Sequence, residues 1–173
     1  MHIVLLGMMA SGKSTMGKVL SRSLNAPFHD IDKIIENQEK RSIKSIFEDN
    51  GEKYFRKIEN KIIIETLDLE VPSVIALGGG AFLDVIVRNY VNKKALSVWL
   101  KVDITTIIDR AKKSQNRPLI ANKSDEEIKK IYNSRLEYYE MAKIHIDCNK
   151  KSKKKCIEEL ISAAKKIGFD ESY

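Results

Sequence analysis

Apolar residues along this chain fall into two alternating rhythms. Short unbroken apolar runs predict buried strands at about His2 to Leu6, Pro27 to His29, Val74 to Leu77, Ala95 to Leu100 and Ile144 to Ile146. Between them the apolar positions recur at helical spacing. Met16, Val19, Leu20 and Leu24 form the first stripe. A helical region is expected from Lys33 to about Asp49, interrupted near Arg41-Ser42, and Gly51 separates it from a long helix at about Glu52 to Leu69. Further helices are expected at about Leu83 to Tyr90, from an Asp103 N-cap to about Ala111, from the capping box Ser124-x-x-Glu127 to about Ala142, and from Lys154 to Ile167. Strands alternating with helices predict an α/β fold built on a parallel sheet.

The first strand runs into Gly7-Met8-Met9-Ala10-Ser11-Gly12-Lys13-Ser14-Thr15, which matches G-x-x-x-x-G-K-[ST] and opens a helix. Glycines let successive backbone N–H groups turn inward toward phosphate oxygens, and the helix start adds the positive end of its dipole. Ala10, Ser11, Gly12, Lys13, Ser14 and Thr15 are therefore the candidate nucleotide contacts. Lys13 is the cation for the β- and γ-phosphates, and the Ser14 hydroxyl is a candidate ligand of Mg²⁺.

Composition narrows the remaining classes. The chain has 173 residues, 43% hydrophobic and 32% charged, which fits one domain spanning residues 1–173. No apolar run approaches the roughly 18 residues of a membrane helix, and no leader precedes the first strand, so a cytoplasmic protein without membrane partners is expected. Cys148 and Cys156 show no metal-ligand spacing and read as reduced thiols, and His2, His29 and His145 are scattered. The net charge of +7 is densest at Lys150-Lys151-Ser152-Lys153-Lys154-Lys155. No aromatic residues interleave with these lysines, which argues against a nucleic-acid partner and for a solvated face. No exposed apolar stripe demands a second subunit, and a monomer is expected.

Ligands of open α/β sheets bind beyond the carboxyl ends of the strands, and four polar groups are predicted there. Asp30 and Asp32 close the second strand; one suits Mg²⁺ held through water and the other a substrate hydroxyl's proton, with a helix N-cap as the competing role for Asp32. Gly78-Gly79-Gly80 would expose backbone N–H groups after the third strand, or serve as a plain turn. Arg56 lies on one helix line with Glu59 and Ile63, and Arg135 sits in the middle of the stripe Ile128, Ile131, Tyr132, Tyr139 and Ala142. A guanidinium on an apolar face requires an anion, so a salt bridge to Glu59 or a substrate carboxylate is expected for Arg56 and a carboxylate for Arg135. Finally, Arg117 lies in a long polar segment, about residues 112–123, expected to act as a lid over the phosphates, with Arg110 at its base as a candidate for stacking on adenine.

These elements, in this order, resemble the shikimate kinases, P-loop enzymes of the nucleoside-monophosphate-kinase-like fold. The resemblance rests on the P-loop, Asp30-Ile31-Asp32, Phe55-Arg56-Lys57-Ile58-Glu59, Leu77-Gly78-Gly79-Gly80-Ala81, Arg117-Pro118-Leu119-Ile120 and Arg135. It implies a three-layer fold with a five-stranded parallel sheet in the order 2-3-1-4-5, and a substrate-binding insertion at about 33–60. It implies ATP and Mg²⁺ as cofactors and phosphorylation of the 3-hydroxyl of shikimate. By the resemblance Asp32, Arg56, Gly79 and Arg135 bind shikimate, Asp32 is also the candidate base, Asp30 acts on Mg²⁺ through water, and Arg117 closes over ATP. The chain departs from the family pattern at two places: Ala76 stands where a serine or threonine is common, and Asn149-Lys150-Lys151-Ser152 lacks the proline of the adenine-packing loop, leaving Lys151 as the candidate contact there. The alternatives are a gluconate or nucleoside-monophosphate kinase of the same fold, and a non-catalytic nucleotide- or nucleic-acid-binding module.

Overall fold

A computed structural model describes residues 1–112, 123–149, 151–166 and 168–169. Strands β1 (His2–Leu6), β2 (Phe28–Asp30), β3 (Val74–Ala76), β4 (Ala95–Lys101) and β5 (Ile144–Asp147) form one sheet in the order β2-β3-β1-β4-β5. Every neighbouring pair is parallel, with Leu5 opposite Ala76 on one side and Val98 on the other.

Both faces of the sheet are covered, which is why the strands read as continuous apolar runs. Side chains of β1 alternate between two clusters. Val4 and Leu6 join Ile35, Ile46, Phe55, Ile63 and Val91, whereas Ile3 and Leu5 join Met16, Leu20, Cys156 and Leu160. The second cluster is covered by α1 (Lys13–Ser23) and α7 (Lys153–Lys166). The first is covered by α2 (Ile31–Glu39), α3 (Ile43–Leu67), α4 (Val85–Lys94), α5 (Ile104–Lys112) and α6 (Asp125–Tyr139). Among the described residues no helix is long and apolar enough to cross a membrane.

Helix ends follow local chemistry. The Ser124 hydroxyl accepts from Glu127 N while the Glu127 carboxylate accepts from Ser124 N, closing the capping box that starts α6. Ser42 caps α3 in the same way through Ser45 N. Gly51 takes φ 77° and ψ 172°, a non-helical backbone that L side chains rarely adopt, so it divides α3 into two helical segments, the separation expected there.

Four expectations shift. Val19 lies 37% exposed, off the buried stripe of α1, because Gly17 rather than Val19 packs on Phe28. Asp32 belongs to the first turn of α2, since β2 ends at Asp30, and the side chain of Asp30 makes no cap hydrogen bond. The helix expected from Leu83 is a 3₁₀ turn at Ala81–Leu83 followed by α4, whose first turn is held by Asp84 Oδ1 accepting from Ile86 N and Val87 N. Helix α6 stops at Tyr139 rather than Ala142.

Candidate active site

Because the strands are parallel, the loops after β1, β2 and β3 open at the same end of the sheet. There they enclose a cleft of about 820 Å³ lined by Met9, Ala10, Gly12 to Thr15, Asp30, Asp32, Arg56, Glu59, Gly78 to Gly80 and Arg135. Helices α2, α3 and α6, which carry Asp32, Arg56, Glu59 and Arg135, also supply core positions such as Ile35, Phe55 and Ile128, so these side chains are set on packed elements.

The P-loop occupies one wall. Ala10 and Gly12 both take positive φ, 66° and 100°, which turns the intervening peptides and delivers the chain into α1. Ser11 N donates to Met8 O at 3.1 Å, tying the loop to itself. Lys13 Nζ donates across the loop to Gly7 O at 2.8 Å and Met8 O at 2.9 Å. Ser14 and Thr15 are exposed in the first turn of α1, with their backbone N–H groups at its positive end. Ser11 Oγ is buried and has no hydrogen-bond partner among the described residues, a polar atom turned into the loop.

The opposite wall is built by two arginines and two carboxylates around the triple glycine. Arg56 Nη1 donates to Glu59 Oε2 at 2.5 Å and Nη2 to Glu52 Oε1 at 3.2 Å, so the salt bridge expected for Arg56 exists and still leaves the guanidinium on the cleft. A Cβ on Gly80 would lie 2.6 Å from Arg56 Nη2, and one on Gly79 would lie 3.2 Å from Arg135 Nη1. The glycines therefore make room for both guanidinium groups on successive residues. Arg135 has no carboxylate in ion-pair contact among the described residues; its Nη1 rests on Met8 Sδ at 3.7 Å.

Asp32 and Glu59 meet across Gly78, where a Cβ would run into both carboxylates. Burial raises the pKa of Asp32, with Lys13 pulling it down and Asp30 and Glu36 adding to the rise. Burial also carries Glu59 up to about 7 against the pull of Arg56. Two carboxyls whose protons are held more tightly than usual thus flank the cleft beside Lys13 and Arg56.

Not every expected residue reaches the cleft. Arg110 bonds to the back of the P-loop, donating from Nη1 to Ala10 O at 3.2 Å. Lys151 is held on α7 by both oxygens of Glu159, at 2.8 and 2.9 Å. Arg117 and the lid expected at 112–123 lie almost wholly outside the described residues. Conversely, Lys33, Glu36, Ile43, Lys44 and Phe47 line the cleft without having been singled out from sequence. Ile43 and Phe47, four apart at the start of α3, carry a helical signal that could have marked that wall.

The Shikimate kinase family model matches residues 9–165. The shikimate kinase of Sulfurihydrogenibium sp. (strain YO3AOP1) is 41% identical over 165 residues, covering 95% of this chain and 98% of that one. That of Caulobacter vibrioides (strain NA1000 / CB15N) is 37% identical over 93% of this chain and 80% of its own. Among solved structures, the shikimate kinase of Aquifex aeolicus superposes with a TM-score of 0.84 at 34% identity, covering 97% and 98% of the two chains. The Acinetobacter baumannii enzyme, solved in complex with shikimate, gives 0.88 at 27%, covering 96% and 93%. A gluconokinase from Sinorhizobium meliloti shares the fold alone, with a TM-score of 0.61 at 15% identity over 99% and 97% of the chains. The double arginine wall, the P-loop and these matches along nearly the whole chain agree: this chain belongs to the shikimate kinase family.

Proposed function

We propose that the protein transfers the γ-phosphoryl group of ATP to the 3-hydroxyl of shikimate. The observation that carries this reading is the pair Arg56 and Arg135, converging over Gly79–Gly80 on the cleft that also holds Lys13 and Asp32. A planar guanidinium without a carboxylate of its own is suited to a carboxylate ligand in bidentate geometry, and among the described residues Arg135 pairs with none, its Nη1 resting on Met8 Sδ.

On this reading the P-loop amides and Lys13 hold the donor phosphates, and the arginines orient the acid group of shikimate. Asp32 then stands where the acceptor hydroxyl meets the phosphates. The 3-oxygen forms its bond to the γ-phosphorus as the bond to the β,γ-bridging oxygen breaks, and Asp32 takes the hydroxyl proton. Its raised pKa favours that acceptance, although a loose phosphoryl transition state depends mainly on positioning and charge. Arg117 belongs to this proposal as a cation over the transferred phosphoryl group, and Arg110, fixed at the P-loop, as a neighbour of the adenine. Mg²⁺ fits the donors present. Among the described residues no cluster of three or more His, Cys, Asp or Glu is placed to hold a metal, but Ser14 and Asp30 offer a hydroxyl and a carboxylate at the phosphate end. Such sparse oxygen ligation suits an ion that keeps its waters and phosphate oxygens, and it would supply charge neutralisation across the β- and γ-phosphates.

Coupled ADP release across shikimate, gluconate and nucleoside monophosphates tests the reading. Turnover with shikimate is expected; turnover with gluconate and none with shikimate would overturn it.

A further inference from the structure

The following inference rests on the shikimate kinase reading and concerns a residue that does not line the cleft. Tyr139, the last residue of α6, is 1% exposed and packs its ring on Trp99 with centroids 5.9 Å apart. Its hydroxyl donates to Gly79 O at 2.5 Å, joining the end of α6 to the middle of the triple glycine. Burial pushes this phenol up to about 12, with Arg135 pulling down, so it remains a donor at any working pH.

Gly79 is the residue at which the two halves of the cleft touch. A Cβ there would lie 3.2 Å from Arg135 Nη1 and 3.3 Å from Met9 N of the P-loop. Arg135 precedes Tyr139 by four residues, one turn along the same helix face. A second tie joins the same parts: Arg88 lies over the Tyr138 ring at 5.2 Å and donates to Phe82 O and Leu83 O at 3.0 and 2.9 Å. The end of α6 and the segment from Gly79 to Leu83 are thus held as one piece.

We propose that Tyr139 is a positioning residue for the acceptor: its hydroxyl fixes the Gly79 peptide, and with it the spacing between Gly79, Arg135 and the P-loop. The group acts through backbone and arginine rather than on substrate. A tyrosine of merely structural use would contribute to stability and leave the two substrates equally affected.

Tyr139→Phe keeps the ring against Trp99 and deletes the hydroxyl. The KM values for shikimate and ATP, kcat and the thermal midpoint are measured together. The expected result is a rise of about tenfold in the KM for shikimate, the scale of one lost hydrogen bond, with the KM for ATP within about twofold of the parent. An unmoved shikimate KM, or equal rises for both substrates, would overturn the proposal. Tyr139→Met, whose flexible chain fills the same space without a donor, gives the same reading if the phenylalanine variant does not fold. Parent protein that fails to phosphorylate shikimate overturns the reading of the whole site; parent turnover with an unmoved Tyr139→Phe overturns this inference alone.

Discussion

Glu59 has no exposed side-chain surface, yet it carries a carboxyl whose Oε2 accepts from Arg56 and whose Oε1 has no hydrogen-bond partner among the described residues. Burial takes its pKa from an ordinary 4.5 to about 7, with Arg56 pulling the other way and Asp32 adding to the rise. The unfolded chain therefore releases this proton near pH 4.5 and the folded chain near 7. Stability from the group is full below 4.5 and declines as pH rises through 7, because the folded state binds the extra proton in that window. The gap between the two values corresponds to about 3 kcal/mol.

Glu59→Gln preserves the shape of the protonated side chain and has no proton to lose. Between pH 5 and pH 8 the variant should therefore gain on the parent by about 2.5 kcal/mol, or about 5 to 10 °C in thermal midpoint for a chain of this size. Urea and thermal unfolding at intervals across that range read the difference, in which titrations common to both proteins cancel. Parallel curves, or a gap that widens toward acid, would refute the reasoning and mean that Arg56 keeps Glu59 ionised throughout. The same substitution removes the anion that holds Arg56 Nη1, so the stabilised variant should bind shikimate more weakly.

Arg135→Ala should weaken shikimate about 10- to 100-fold in calorimetry while leaving ATP affinity unchanged, the loss expected for a charge-assisted bidentate contact; a shikimate affinity within about twofold of the parent would remove the carboxylate clamp. Gly80→Ala places a Cβ 2.6 Å from Arg56 Nη2, at the flexible end of the side chain. It should displace the guanidinium at little cost in melting temperature and raise the KM for shikimate several-fold; a large fall in melting temperature with an unchanged KM would contradict this.

The strands were legible because each buried run is short, apolar and bounded by turn residues, and the parallel arrangement follows from their alternation with helical stripes; their order came only with the resemblance to the shikimate kinases, because apolar runs do not say which strands are neighbours. The P-loop was legible because its chemistry is performed by backbone and by two side chains at fixed spacing. Harder to see was what Arg56 does: a sequence spacing offered Glu59 or a ligand, and the side chain turns out to be bonded to Glu59 and Glu52 while also lining the cleft. Asp32 was read at the end of the second strand from its alternation with Asp30; β2 stops at Asp30, and in the first turn of α2 Asp32 reaches the cleft through helix geometry instead. The hydroxyl of Tyr139 was invisible because helical periodicity assigns a residue to the core but not the polar tip to a partner 60 residues away.

The division of labour in the cleft follows from where its groups originate. The side proposed for the donor is made of backbone at the end of β1, at the centre of the sheet, where a helix start and positive φ angles suit a phosphate whatever the acceptor. The side proposed for the acceptor is made of side chains from α2, α3 and α6, each pinned by its apolar face and brought together by glycines that add no bulk of their own. A change of acceptor therefore requires new side chains on those helices and leaves the sheet untouched. The proposed reading locates specificity in the contacts that hold helices against the triple glycine, because a guanidinium displaced by an ångström would lose a bidentate carboxylate while the phosphate cradle stays whole.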